Sequence, residues 1–117
     1  MRAILIDAVA REVREVELPD DEGGRLAVLN ASVGGYLEVA YMWANGDTLF
    51  VDEDGQRHDW PHGFVLPLAL FGGQFLGSGV VVGREVEGDQ YPDGYTNVDP
   101  VITVDELRKL VRFFRRA

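Results

Sequence analysis

The chain has no cysteine among its 117 residues, so disulfide staples and thiolate metal sites are excluded and nothing marks a secreted framework. No window approaches the roughly 18 consecutive apolar residues that a membrane-crossing helix requires. The opening run Met1-Arg2-Ala3-Ile4-Leu5-Ile6-Asp7 is too short for a signal peptide and closes on a carboxylate. Repeats, linkers, a Walker motif, a nucleophile elbow and a paired-carboxylate signature are all missing. These absences lead us to expect a cytoplasmic protein with no membrane partner, no cofactor and no catalytic residue, built as a single domain over residues 1–117.

Positive charge is scarce and unevenly placed. The formal net charge is −9. From Asp105 onward five basic residues (Arg108, Lys109, Arg112, Arg115, Arg116) face two acids, a local +3, which leaves −12 on residues 1–104. Such a body repels phosphates at long range, and direct nucleic-acid binding is not expected. Solubility alone accounts for the acids; a surface imitating DNA is the sharper alternative.

Hydrophobic patterning then sets the elements. Ala3–Ala8 reads as a buried strand, and Arg11–Leu18 as a charged edge strand paired with it through Val9-Ala10. Val13 is out of phase with Val16 and Leu18, which predicts a bulge or half-pairing. Asp20, Asp21 and Glu22 are helix-start chemistry. Leu26, Leu29 and Val33 mark the apolar face, and Gly34 or Gly35 closes the helix. Tyr36–Tyr41 alternates with Leu37, Val39 and Tyr41 on one face, and Asn45-Gly46-Asp47 turns the chain into Thr48–Asp52. Between Gln56 and Gly77 the pattern is broken by Trp60-Pro61 and Leu66-Pro67; Leu68–Phe71 reads as one helical turn. Val80-Val81-Val82 predicts a central strand buried on both faces and running towards Val86. Gly88–Asn97 reads as a loop around Pro92-Asp93-Gly94. Thr103-Val104-Asp105-Glu106 is a capping box that opens a helix with Val104, Leu107, Leu110, Val111 and Phe114 inward and its basic residues in the last turns. The expected fold is α+β: a mostly antiparallel sheet of about five strands with two main helices packed on one face.

Candidate chemistry concentrates in the irregular segments. His58 and His62 flank Asp59 and could ligate a metal, but Pro61 opposes the helix that would aim both at one ion. No metal ligands are therefore assigned. Gly77-Ser78-Gly79 leads into a strand, not a helix, and so lacks the context of a phosphate loop. Trp43, Trp60, Tyr91 and Tyr95 all fall in turns, where they could wall a concave site if the loops meet at one end of the sheet. With Arg57, His58 and His62 they form the candidate ligand- or partner-binding set.

The segments Ser32–Glu38, Leu49–Gly55 and Gly77–Gly83 resemble, in that order, a family of small domains of unknown function in bacteriophages, plasmids and other bacterial mobile elements. The shared pattern is a helix, Gly-Gly-Tyr-Leu-Glu, a strand ending in Asp-Glu-Asp-Gly, and later Gly-Ser-Gly-Val-Val-Val-Gly. The resemblance runs from Leu26 to the C-terminal helix, with an N-terminal hairpin also expected. It departs at Met42–Asp47, His58–Gly63 and Tyr91–Asn97. It implies a genomic setting and carries no catalytic residue. The combined expectation is a non-enzymatic accessory protein of a phage or mobile element that binds a host protein through an acidic, aromatic-bearing surface, with counter-defence as a role. The alternatives are a protein that sequesters a small, nucleotide-like molecule and a metal-dependent hydrolase using His58 and His62. A homo-oligomer is compatible with the sequence.

Overall fold

A computed structural model describes residues 1–55, 59–67 and 73–116. In chain order the elements are β1 (Arg2–Asp7), β2 (Glu12–Glu17), α1 (Glu22–Val33), β3 (Leu37–Met42), β4 (Thr48–Asp52), β5 (His62–Val65), β6 (Gln74–Leu76), β7 (Gly79–Val82), β8 (Glu85–Glu87), β9 (Tyr95–Asn97), α2 (Val104–Leu110) and β10 (Arg112–Arg115). Among the described residues strand predominates, at 41% against 18% helix, so the α+β domain is richer in sheet than the sequence pattern suggests. No described helix is long and apolar enough to cross a membrane.

The main sheet has the order β2-β1-β7-β4-β3 and is antiparallel throughout. Valine-rich β7 lies at its centre, buried at every position as expected. It stops at Val82, short of Val86, and the next residue, Gly83, lies so close to the Val98 carbonyl that a Cβ there would strike it. Val86 instead sits in β8, whose hairpin with β9 gives structure to the end of the segment expected to be a loop.

Both faces of this sheet are covered, which resolves the phase slip in β2. Its register with β1 is continuous from Arg2 opposite Glu17 to Asp7 opposite Glu12, without a bulge. Val13 joins the core formed by Ile4, Ile6, Leu49, Val51 and Val81, whereas Val16 and Leu18 pack with Ala3, Val80 and Val82 on the opposite face. A strand covered on both sides need not keep one apolar phase.

The helices do not share a face. Leu29 and Val33 of α1 pack on the side of Ala3 and Val80; Leu107 of α2 and the following Val111 belong to the core on the other side. That second side is also roofed by the three-stranded sheet β10-β5-β6, from which Phe64 is fully buried. The layers are thus helix, five-stranded sheet, then a small sheet with α2. The segment Leu68–Phe71, read as a helical turn, lies outside the described residues.

Asp21 caps α1 by accepting the Gly24 amide at 2.7 Å, and Gly34 closes it in the left-handed region at φ 83°. The inward face is Arg25, Leu29 and Val33; Leu26, expected there, is exposed. In β3 a bulge between Val39 and Tyr41 breaks the expected alternation: Leu37 faces the α1 side, Ala40 and Tyr41 face the other, and Val39 is exposed.

The capping box of α2 forms as expected, with Glu106 N donating to Thr103 Oγ1 at 3.1 Å and Thr103 N to Glu106 Oε1 at 3.3 Å. The helix ends at Leu110, however, and Phe114 is not on it. Residues 112–115 extend as β10 because β5 offers a ladder, with Phe113 opposite Phe64 and Phe114 opposite Gly63. Arg112 and Arg115 are therefore strand residues, but Arg112 Nη1 still donates to the Lys109 carbonyl at 3.0 Å, at the C-terminal end of α2.

Asp47 fixes the approach to α2. Its side chain is almost fully buried and accepts the Val101 amide at 3.0 Å and the Ile102 amide at 2.8 Å. A buried carboxylate is tolerated when donors satisfy it in this way.

Candidate functional site

Trp60 is the best-anchored aromatic of the candidate set. Its indole Nε1–H donates to Asp52 Oδ2 at 3.0 Å, while Asp52 Oδ1 accepts the Asp54 amide at 3.0 Å. Gly34 and Gly77 both have left-handed φ, at 83° and 85°. A Cβ on either would lie 3.0 Å from the indole, at Cζ2 and Cδ1 respectively. Gly35 likewise lies so close to the Asp52 carboxylate that any side chain there would collide with it. Glycine is required here for conformation and for close approach together.

The ring forms one wall of a cleft of about 540 Å³, within the ~300–1,000 Å³ typical of small-molecule sites. The end of α1 (Ala31–Gly34), the tip of the first hairpin (Asp7, Ala8, Val9) and Ser78 complete it. Most of the lining is apolar. Ser78 Oγ accepts the Ala8 amide at 2.9 Å, which leaves its own hydroxyl proton to donate. His62 Nδ1 is buried and has no hydrogen-bond partner among the described residues. Asp7 Oδ1 accepts the Val9 and Ala10 amides at 3.1 and 3.0 Å, and Oδ2 accepts from Arg14 Nη1 at 2.9 Å. Burial alone would raise the Asp7 pKa, but the Ala10 amide, the Arg14 guanidinium and the Val9 amide outweigh it and hold the carboxyl below its ordinary value. The cleft can therefore hold a planar, mainly apolar body against the indole and engage a few polar atoms of it.

The remaining candidates do not meet there. Trp43 packs edge-on against Tyr41, with ring centroids 5.0 Å apart, on the core face away from α1. Tyr95 lies at the other end of α1, its ring 5.2 Å from the Arg25 guanidinium carbon. Glu22, as acceptor, holds the Tyr95 hydroxyl above its ordinary pKa, and burial adds to this. Tyr91 belongs to the Gly88–Gly94 turn, where its amide donates to the Gly88 carbonyl at 3.2 Å. His62, by contrast, lines the cleft with Trp60 from β5, where it is paired opposite Arg115. Arg57 and His58 lie outside the described residues, and with them the two-histidine pairing. Among the described residues no group of three or more histidine, aspartate and glutamate side chains is placed to hold a metal ion.

Asp7, Arg14 and Ser32 carry no site signal in the sequence, Gly34-Gly35 reads as a helix stop, and Gly77-Ser78-Gly79 lacks the helix that a phosphate loop needs. Two glycine pairs beside a short acidic turn were nevertheless the available signal, because all three segments converge on one indole.

The chain belongs to the family described as a domain of unknown function, DUF3846, whose model matches residues 1–98. The match covers the main sheet, α1 and the cleft, and stops short of α2 and β10. No curated protein and no solved structure matches the chain.

Proposed function

We propose that the protein is a non-enzymatic binding protein whose cleft beside Trp60 takes a small, planar, largely uncharged organic molecule, nucleoside-like in shape. One observation carries this reading. The three segments that bear the family-like pattern meet around Trp60, so that two left-handed glycines and a carboxylate hold its ring in place before any ligand arrives. Preorganised aromatic walls cost little ordering entropy on binding. His62 Nδ1 and the Ser78 hydroxyl supply polar recognition, while Arg14 is occupied by Asp7 and Glu12 and offers less to an anion.

The test is a panel of nucleobases, nucleosides and related heterocycles, followed by Trp60 fluorescence in a Trp43→Phe background and by melting temperature. A binder should change the emission and raise the melting temperature, and Trp60→Ala should abolish both effects. No response to any compound at millimolar concentration would overturn the reading.

A second reading, docking of a host protein, draws support from a different place. Edge strand β3 leaves Val39 and Met42 exposed, as is Tyr36 just before it, whereas the opposite edge, β2, presents Glu12, Arg14, Glu15 and Glu17. Unpaired apolar edges accept strands from partners. The mobile-element setting and a counter-defence role belong to this reading. Val39→Lys should then abolish complex formation without lowering stability.

A further inference from the structure

The first turns of α1 bury an arginine. Arg25 is only 3% exposed and shares the inward face with Leu29 and Val33. A guanidinium does not give up its proton, so its burial has to be offset by acceptors. Arg25 has too few. Nη1 donates to the Asp20 carbonyl, and the Tyr95 ring lies 5.2 Å from the guanidinium carbon. Nη2 is buried and has no hydrogen-bond partner among the described residues. No carboxylate among them lies within ion-pairing distance of this side chain. Buried polar groups are nearly always bonded, so an orphaned charged donor marks a missing acceptor.

Arg25 lines a cavity of about 200 Å³ enclosed by α1, the main sheet and the β8-β9 hairpin. Leu26, Leu29, Leu37 and Phe50 supply apolar walls. Two acids, Glu22 and Glu85, line it as well and are exposed. The volume is below the ~300–1,000 Å³ of ordinary ligand sites, which restricts the occupant to a small molecule. A simple anion would satisfy Arg25 and be repelled by both glutamates. An occupant that carries one charge of each sign on an apolar body answers every group present.

We propose that this cavity binds a free α-amino acid with an apolar side chain. Its carboxylate takes Arg25 Nη2, its ammonium faces Glu22 and Glu85, and its side chain lies against Leu29 and Phe50. Because Nη2 is sealed, the half-buried Tyr95 ring swings aside to admit the carboxylate. Tyr95 belongs to a separate two-stranded sheet, so this movement leaves the five-stranded sheet intact. The cavity shares no lining residue with the Trp60 cleft and does not rest on the reading of that cleft.

The test is calorimetric titration of the full chain with valine, leucine and phenylalanine, and with the amine and the acid that each leaves when one charged group is removed. At least one amino acid should bind at about millimolar concentration or below, and its single-charge analogues about tenfold more weakly. Arg25→Met should abolish binding and melt no lower than the parent, since it removes an unpaired buried charge and keeps the apolar stem. Should that variant not fold, Arg25→Lys decides, with binding about tenfold weaker. Glu22→Gln should weaken the amino acid and tighten its amine-free acid. Trp60→Ala should change none of these titrations. The proposal fails if no amino acid binds at about 10 mM, if Arg25→Met or Arg25→Lys binds like wild type, or if Trp60→Ala abolishes binding. An acid that binds as tightly as its amino acid would overturn it in favour of a plain anion site. A tripeptide that ends in the preferred residue and binds more tightly than the free amino acid would overturn it in favour of a partner's C-terminus.

Discussion

Asp52 and Trp60 join the end of β4 to the start of the segment that leads into β5, through one indole-to-carboxylate hydrogen bond of 3.0 Å. Around that bond Gly34, Gly35 and Gly77 approach so closely that none could carry a side chain without displacing it. Removing the acceptor should free the ring. Asp52→Ala, in a Trp43→Phe background, is expected to shift Trp60 emission and quicken its quenching by acrylamide. It should destabilise the fold by about 1–3 kcal/mol, the usual cost of unsatisfied buried donors. Emission identical to the parent would mean that the carboxylate does not position the indole.

The glycines permit a cleaner comparison. Gly77 and Gly94 both have positive φ, 85° and 79°, but a Cβ at Gly94 would meet nothing within 4 Å while one at Gly77 would press on Trp60. Gly94→Ala should cost about 1 kcal/mol, for backbone conformation alone. Gly77→Ala should cost about 1–3 kcal/mol more, through overpacking. Equal urea midpoint shifts for the two variants would show that the indole yields freely.

Asp47 clamps two successive amides of the approach to α2 from a position sealed from solvent. Asp47→Ala should lower stability by about 3 kcal/mol, since it strands two donors that were bonded to a charged acceptor. Hydrogen exchange at Val101 and Ile102 should accelerate more than exchange in the central strand β7. Uniform acceleration throughout the chain would assign the loss to global unfolding alone.

Asp7 gives the fold an acid-sensitive hairpin. Its carboxyl titrates below the ordinary value when folded, because the amides of Ala10 and Val9 and the Arg14 guanidinium outweigh the opposing effect of burial. For a depressed carboxyl, the stabilisation is fully present above the unfolded-state pKa, about 4, and disappears as pH falls through the lower folded value. The stability difference between wild type and Asp7→Asn should therefore be constant from neutral pH down to about 5 and shrink below about 4. Urea denaturation across that range measures it; a difference that grows on acidification would contradict the assignment.

Local signals served well where they were self-contained. The Asp21 cap, the Gly34 stop, the Asn45-Gly46 turn, the Thr103–Glu106 box and the doubly buried Val80–Val82 strand each follow from chemistry within a few residues. Signals that needed a partner were misread. Val13 looked like a bulge because the second covered face of the sheet is built from residues fifty to a hundred positions away. Phe114 keeps helical spacing, yet the chain there pairs with β5 as a strand, which packs the neighbouring Phe113 against the core. The cleft was illegible for the same reason: Gly34, Asp52, Trp60 and Gly77 are distant in sequence, and glycine next to glycine announces a turn without saying what lies against it.

The position of β7 has a consequence for how the protein comes into being. Residues 79–82 separate the first hairpin from the second, and each neighbour donates its inner edge to them. Until those four residues are synthesised, β1 and β4 present unpaired inner edges and half-covered apolar faces, a state open to wrong strand partners. Closing the sheet then requires strands more than seventy residues apart to find each other, so folding is expected to be slow for a chain of this size and to finish only when its latter third has emerged.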